Sequence, residues 1–93
     1  MAITDNEIQM ALRIKRCVNE FFDSNNLSII EAKELMPQFI KMGIFKSNYQ
    51  DGLPIRDFLR HLEEEKQLRL IPQALYQQKD TNMNWFFINT NKK

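Results

Sequence analysis

The apolar residues of this chain change period near residue 67, and that change limits the available folds more than any other feature. Up to Gln67 they recur every three or four positions, in segments punctuated by Pro37, Gly43, Gly52 and Pro54. Beyond it Leu68-Arg69-Leu70 alternates and Tyr76-Gln77-Gln78 is compatible with a strand. The segment Asn84-Trp85-Phe86-Phe87-Ile88-Asn89-Thr90 is rich in strand formers. Helices followed by strands, within 93 residues, imply one α+β domain over residues 1–93. Seven Phe, two Tyr and one Trp supply a core that needs no staple. The single cysteine excludes an internal disulfide and a cysteine-based zinc site.

The first helix opens at Thr4-Asp5-Asn6-Glu7, where threonine and the glutamate three residues on form a capping box. Its apolar residues, Ile8, Met10, Ala11, Leu12, Ile14, Cys17, Val18, Phe21 and Phe22, spread over about 200° of the helix, twice what a surface helix needs. So wide an arc calls for two covers: the domain's own core, and either the hairpin or a second subunit. Asp23-Ser24-Asn25-Asn26 is a turn cluster. A second capping box, Ser28 with Glu31, introduces a helix with the apolar face Ile29, Ala32, Leu35 and Met36, which Pro37 should end or kink. Gly43 fits a left-handed cap after one further turn, and Ile44-Phe45 is long enough only for a minimal strand. After the loop Asn48–Gly52, Pro54 suits a first helical turn, and a third helix runs to about Gln67 with the narrow apolar face Ile55, Phe58, Leu59 and Leu62. Lys79–Met83 supplies a reversal between two final strands, and Pro72 marks an edge position or a bulge.

The expected order is helix, helix, brief strand, helix, strand, strand. In that order and spacing residues 5–90 resemble a winged helix-turn-helix domain: three helices, a short strand and a C-terminal β-hairpin wing. About fifteen residues from Pro37 to Gly52 separate the second helix from the third, more than a tight helix-turn-helix uses. The resemblance implies binding to double-stranded DNA, as in a small transcriptional regulator or an accessory protein of DNA transactions, with the third helix in the major groove and the hairpin on the backbone. Carried onto this sequence, Arg56 and Arg60 would approach the groove, and Arg69, Lys79 and Asn82 would steady the wing.

Charge bears on this reading in two opposite ways. The whole chain carries only +1, so bulk attraction to a polyanion is absent. The third helix sets Arg56, Arg60 and Lys66 against Asp57, Glu63, Glu64 and Glu65, with Arg60–Glu64 and Asp57–His61 in place for i,i+4 pairs. From Arg69 onward the balance turns to +3, which suits a phosphate contact, although lysine and amide residues are also ordinary in turns and edge strands. The alternative is the same scaffold used as a protein-interaction or dimerisation module without DNA binding, and its expected product is a homodimer packed through Met10, Ile14, Cys17 and Phe21. On the last strand Trp85 and Phe87 alternate with Phe86 and Ile88, so one apolar face closes over the helices while the other is covered by the first helix or left exposed.

No catalytic, cofactor or metal site is expected. Cys17 lies in the apolar arc, His61 is the one histidine, and Glu63-Glu64-Glu65 point in three directions around a helix. Two glycines are too few for a phosphate-cradling loop. The amino terminus lacks the features of a signal peptide and no apolar run approaches a membrane span, so a cytoplasmic protein is expected.

Overall fold

The computed structural model describes residues 3–48, 50, 52–79 and 82–90, without the side chains of Lys79 and Asn82. It is an α+β structure of three helices and one three-stranded antiparallel sheet. Helix α1 spans Asp5–Ser24. Its capping box is formed: Thr4 Oγ1 accepts from the Glu7 amide at 3.1 Å, and Glu7 Oε1 accepts from the Thr4 amide at 2.8 Å. Ala11, Ile14, Cys17, Val18 and Phe22 are buried. The wide apolar arc of α1 is divided between that core and the half-buried Met10 and Phe21 at its margins, while Leu12 stays exposed.

The next segment departs from expectation. Ile29–Glu31 is a strand, β1, and not the first turn of a helix. Two isoleucines in succession favour extended backbone, and β1 pairs with the final strand through Ile29↔Ile88, Ile30↔Phe87 and Glu31↔Phe86. Pairing over three residues satisfies backbone groups that a short isolated helix would leave open. The helical turn survives only as a 3₁₀ segment, Ala32–Leu35. Pro37 then begins a helix where it was expected to end one: α2 runs Met36–Lys41 with proline in its first turn, where no intrahelical amide donor is missed. Gly43, at φ +77°, closes α2 as anticipated. The Gly43 amide donates to Ile40 O at 3.0 Å and the Ile44 amide to Phe39 O at 2.9 Å, a complete Schellman motif. Ile44 is therefore a buried cap residue instead of a strand, and Phe45 rests edge-on against Phe39 at 6.0 Å.

Helix α3, Leu53–Glu64, starts at Gly52 and buries Ile55, Leu59 and Leu62. It ends in the same hydrogen-bond pattern as α2, with Lys66 N to Glu63 O at 3.0 Å and Gln67 N to Leu62 O at 2.7 Å. Here the left-handed position is Lys66, at φ +60°, where a Cβ is disfavoured. Lys66→Gly is therefore expected to raise stability by about 1 kcal/mol, seen as a higher midpoint in urea unfolding at unchanged slope. A lowered midpoint would show that the Lys66 side chain contributes more than its backbone conformation costs.

Leu68–Leu70, read as alternating, is a 3₁₀ turn whose two leucines pack against the core. Pro72 falls in the turn that follows, ahead of strand β2, Ala74–Lys79. Strand β3, Asn82–Ile88, pairs with β2 from Ala74↔Phe87 to Lys79↔Asn82, giving the sheet order β1-β3-β2. The reversal expected at Lys79–Met83 centres on Asp80 and Thr81, which lie outside the described residues. Gln73 joins the sheet to α1. It is 1% exposed, its side-chain amide donates to Asn19 Oδ1 at 2.6 Å and Lys15 O at 3.3 Å, and its backbone carbonyl accepts from the Ile88 amide at 2.9 Å. The inner sheet face presents Trp85 and Phe87 to the helices, and Phe87 meets Phe39 edge-on at 6.1 Å.

Candidate nucleic-acid interface

The outward stripe of α3 consists of Asp57, Arg60 and Glu64, all exposed, flanked by the half-exposed Arg56, His61 and Glu63. All of these side chains but Glu64 are engaged, though not in the expected pairs. Arg60 turns back toward the N-terminus and donates from Nη2 to Asp57 Oδ1 at 2.7 Å, in place of Glu64. His61 leaves Asp57 and reaches α1, where Nε2 lies 2.9 Å from Glu7 Oε2. The Glu7 carboxyl titrates below the ordinary carboxylate range, chiefly because it accepts the Thr4 amide and secondarily because His61 is near. Arg56 does not project beside Arg60. Its Nη2 donates to Gln50 O at 2.7 Å, folding the guanidinium back across the N-terminal end of α3, and its Nε is buried without a hydrogen-bond partner.

One side-chain hydrogen bond ties the hairpin to the same helix. Tyr76 donates from its hydroxyl to Glu63 Oε2 at 2.8 Å and packs on Trp85 with ring centroids 5.0 Å apart. That bond to a carboxylate raises the pKa of the phenol. Arg69 is exposed in the 3₁₀ turn beyond α3, with Nη1 3.4 Å from Lys66 O; it belongs to the junction between helix and hairpin and not to the wing itself. Lys79 and Asn82 form the last backbone pair of the hairpin, and their side chains fall outside the description. Of the five residues singled out for nucleic-acid contact, Arg60 and Arg69 are on the surface, Arg56 is withdrawn, and the other two are placed only by their backbone.

The homodimer surface proposed from sequence requires correction. Ile14 is fully buried and Cys17 is 5% exposed, both inside the domain's own core. Met10 and Phe21 are half-buried against the same core. The helical period locates an apolar arc without saying which neighbour covers it; here the domain's own core takes the centre of the arc and leaves Met10 and Phe21 half-buried at its margins. Burial also pushes the Cys17 thiol pKa up, as expected of an inert thiol. A partly uncovered apolar surface lies on the outer sheet face, where Ile29 is exposed beside the half-buried Leu75, Phe86 and Ile88 from the other two strands. Ile29 is 51% exposed. Alternation at Phe86 and Ile88 signalled part of this face; Ile29 was hidden by its assignment to a helix.

A cleft that no sequence pattern announced opens where the 3₁₀ segment, α3 and β3 converge. Glu31, Lys33, Arg56, Asn84 and Trp85 line about 190 Å³. Gly52 makes this junction possible, since a Cβ there would lie 2.4 Å from Lys33 Cβ. Among the described residues, no group of three or more His, Cys, Asp and Glu is placed to hold a metal ion, and no helix is long and apolar enough to cross a membrane. Compared with known protein families, curated proteins and solved structures, the chain finds no match.

Proposed function

We propose that this chain is a winged-helix module that binds duplex DNA through α3 and the β2–β3 hairpin, as a small regulator or an accessory protein of DNA transactions. The observation that carries the reading is topological. A helix, a short strand, two helices and a hairpin occur in that order, with β1 closing on β3 and the hairpin fastened beside α3 by the Tyr76–Glu63 bond. Such an arrangement offers one helix face and one hairpin to the same partner. The Arg60–Asp57 pair is no obstacle, because an exposed ion pair is worth only about 0–1 kcal/mol and a phosphate readily displaces the carboxylate. Since the outward acids of α3 repel phosphate, affinity should come from Arg60, Arg69 and Lys79 and depend strongly on salt.

The test is fluorescence anisotropy of a labelled random duplex, titrated at low and then at higher salt. Arg60→Ala is expected to weaken binding on the order of tenfold. Lys79→Ala should reduce the slope of log affinity against log salt by about 0.9. Absence of binding by the unaltered protein even at low salt would end the DNA reading.

A second reading, assembly with protein, is favoured by the outer sheet face of Ile29, Leu75, Phe86 and Ile88. It replaces the α1 surface as the place where two copies would meet. Sedimentation showing a strict monomer at high concentration would remove the homodimer form of it.

A further inference from the structure

The cleft beside α3 has a composition that selects a ligand class. Among the described residues lining it, two cations face one carboxylate: Lys33 Nζ lies 3.5 Å from Glu31 Oε2, on the exposed rim, and Arg56 is held from behind by Gln50 O at 2.7 Å. Arg56 Nε is buried and makes no hydrogen bond. Charged groups favour an oppositely charged acceptor at such a position. Asn84 contributes an exposed amide, and Lys33 is fixed at the cleft because its backbone packs directly on Gly52. Two cations and an amide suit an oxyanion.

We propose that this cleft seats one phosphate group, supplied by the nucleic-acid backbone, with Lys33, Arg56 and Asn84 as donors. The backbone as source rests on the function proposed above; the affinity for phosphate does not. The seat lies between the helix and the hairpin assigned to DNA, so a strand crossing from one to the other would place a phosphate there. Glu31, 3.5 Å from Lys33, competes with the phosphate for that ammonium. Removing its charge should strengthen binding, an outcome that mere loss of structure would not produce.

Trp85 lines the cleft and is the only tryptophan, so its fluorescence reports occupancy. Inorganic phosphate should change that fluorescence saturably. Lys33→Gln should weaken the response by about fivefold or more and Glu31→Gln should tighten it, each variant first shown by circular dichroism to melt like the parent. In the labelled-duplex titration Lys33→Gln should lower the salt slope by about 0.9, one phosphate contact. A phosphate response without duplex binding at any salt supports the seat and overturns the backbone as its source. Duplex binding with an unchanged slope in Lys33→Gln, together with no fluorescence response to phosphate, overturns the seat and leaves the DNA reading standing.

Discussion

Phe87→Ala is expected to lower the unfolding free energy by about 3–5 kcal/mol, the largest effect of any single truncation considered for this protein. Phe87 is completely buried on the central strand β3, paired on one side with Ile30 and on the other with Ala74. Its ring meets Phe39 of α2 edge-on at 6.1 Å. Removing it therefore leaves a cavity where sheet and helices meet, and neither flanking strand can close inward without losing register. Since a domain of this size holds roughly 5–15 kcal/mol in total, the variant should sit near its unfolding threshold. Urea denaturation followed by far-ultraviolet circular dichroism measures the change. A midpoint within experimental error of the parent would mean that the aromatic layer between β3 and α2 is not the centre of the core. Phe86→Ala is the matched control: the neighbouring ring lies on the outer face, and its truncation should cost about 1 kcal/mol or less.

Gly52→Ala comes next, at about 2–4 kcal/mol, and its cause is the backbone rather than lost burial. Gly52 has φ +89°, which an L-residue adopts only under strain. The added methyl would also lie 2.4 Å from Lys33 Cβ and 2.9 Å from Lys33 Cα. Because one of those atoms is main chain, no rotamer change relieves the overlap; either α3 or the 3₁₀ segment must move. A thermal midpoint reduced by about 10–25 °C is the expected reading. A shift of only a few degrees would show that the loop from Asn48 to Gly52 absorbs the change. The variant should also disturb Lys33, so loss of phosphate response in it would not by itself identify a ligand.

These two residues differ in how visible they were. Phe87 stands in a run of aromatic strand formers, and its inward orientation follows from alternation once one sheet face is closed. Gly52 was legible as a loop glycine; its neighbour Lys33, nineteen positions earlier, was not. The same division runs through the chain. The capping box at Thr4–Glu7, the left-handed Gly43 and the proline at the start of α3 are local hydrogen-bond and torsional preferences, and each is formed as its sequence suggests. The segment 28–36 carries equally good local signals for a helix, yet it became β1 and a 3₁₀ segment because β3 offered a pairing partner. Gln73 gave no signal at all. A glutamine between Pro72 and Ala74 reads as a turn residue, and only the arrival of α1 makes it a buried link.

Local pattern and composition specified the α+β class, the presence of the first and third helices and of the hairpin strands, and the weak net charge, although the third helix stops at Glu64, short of the expected Gln67. Those depend on residue periodicity, caps and composition, which act over a few neighbours or are simply additive. The tertiary structure decided that Ile29–Glu31 is a strand, that Ile14 and Cys17 are consumed by the core, and that Arg60 prefers Asp57 while His61 prefers Glu7. It also brought Lys33, Arg56 and Asn84 to one cleft. In each case the outcome is a choice among several locally adequate partners, and distance in the folded chain makes that choice.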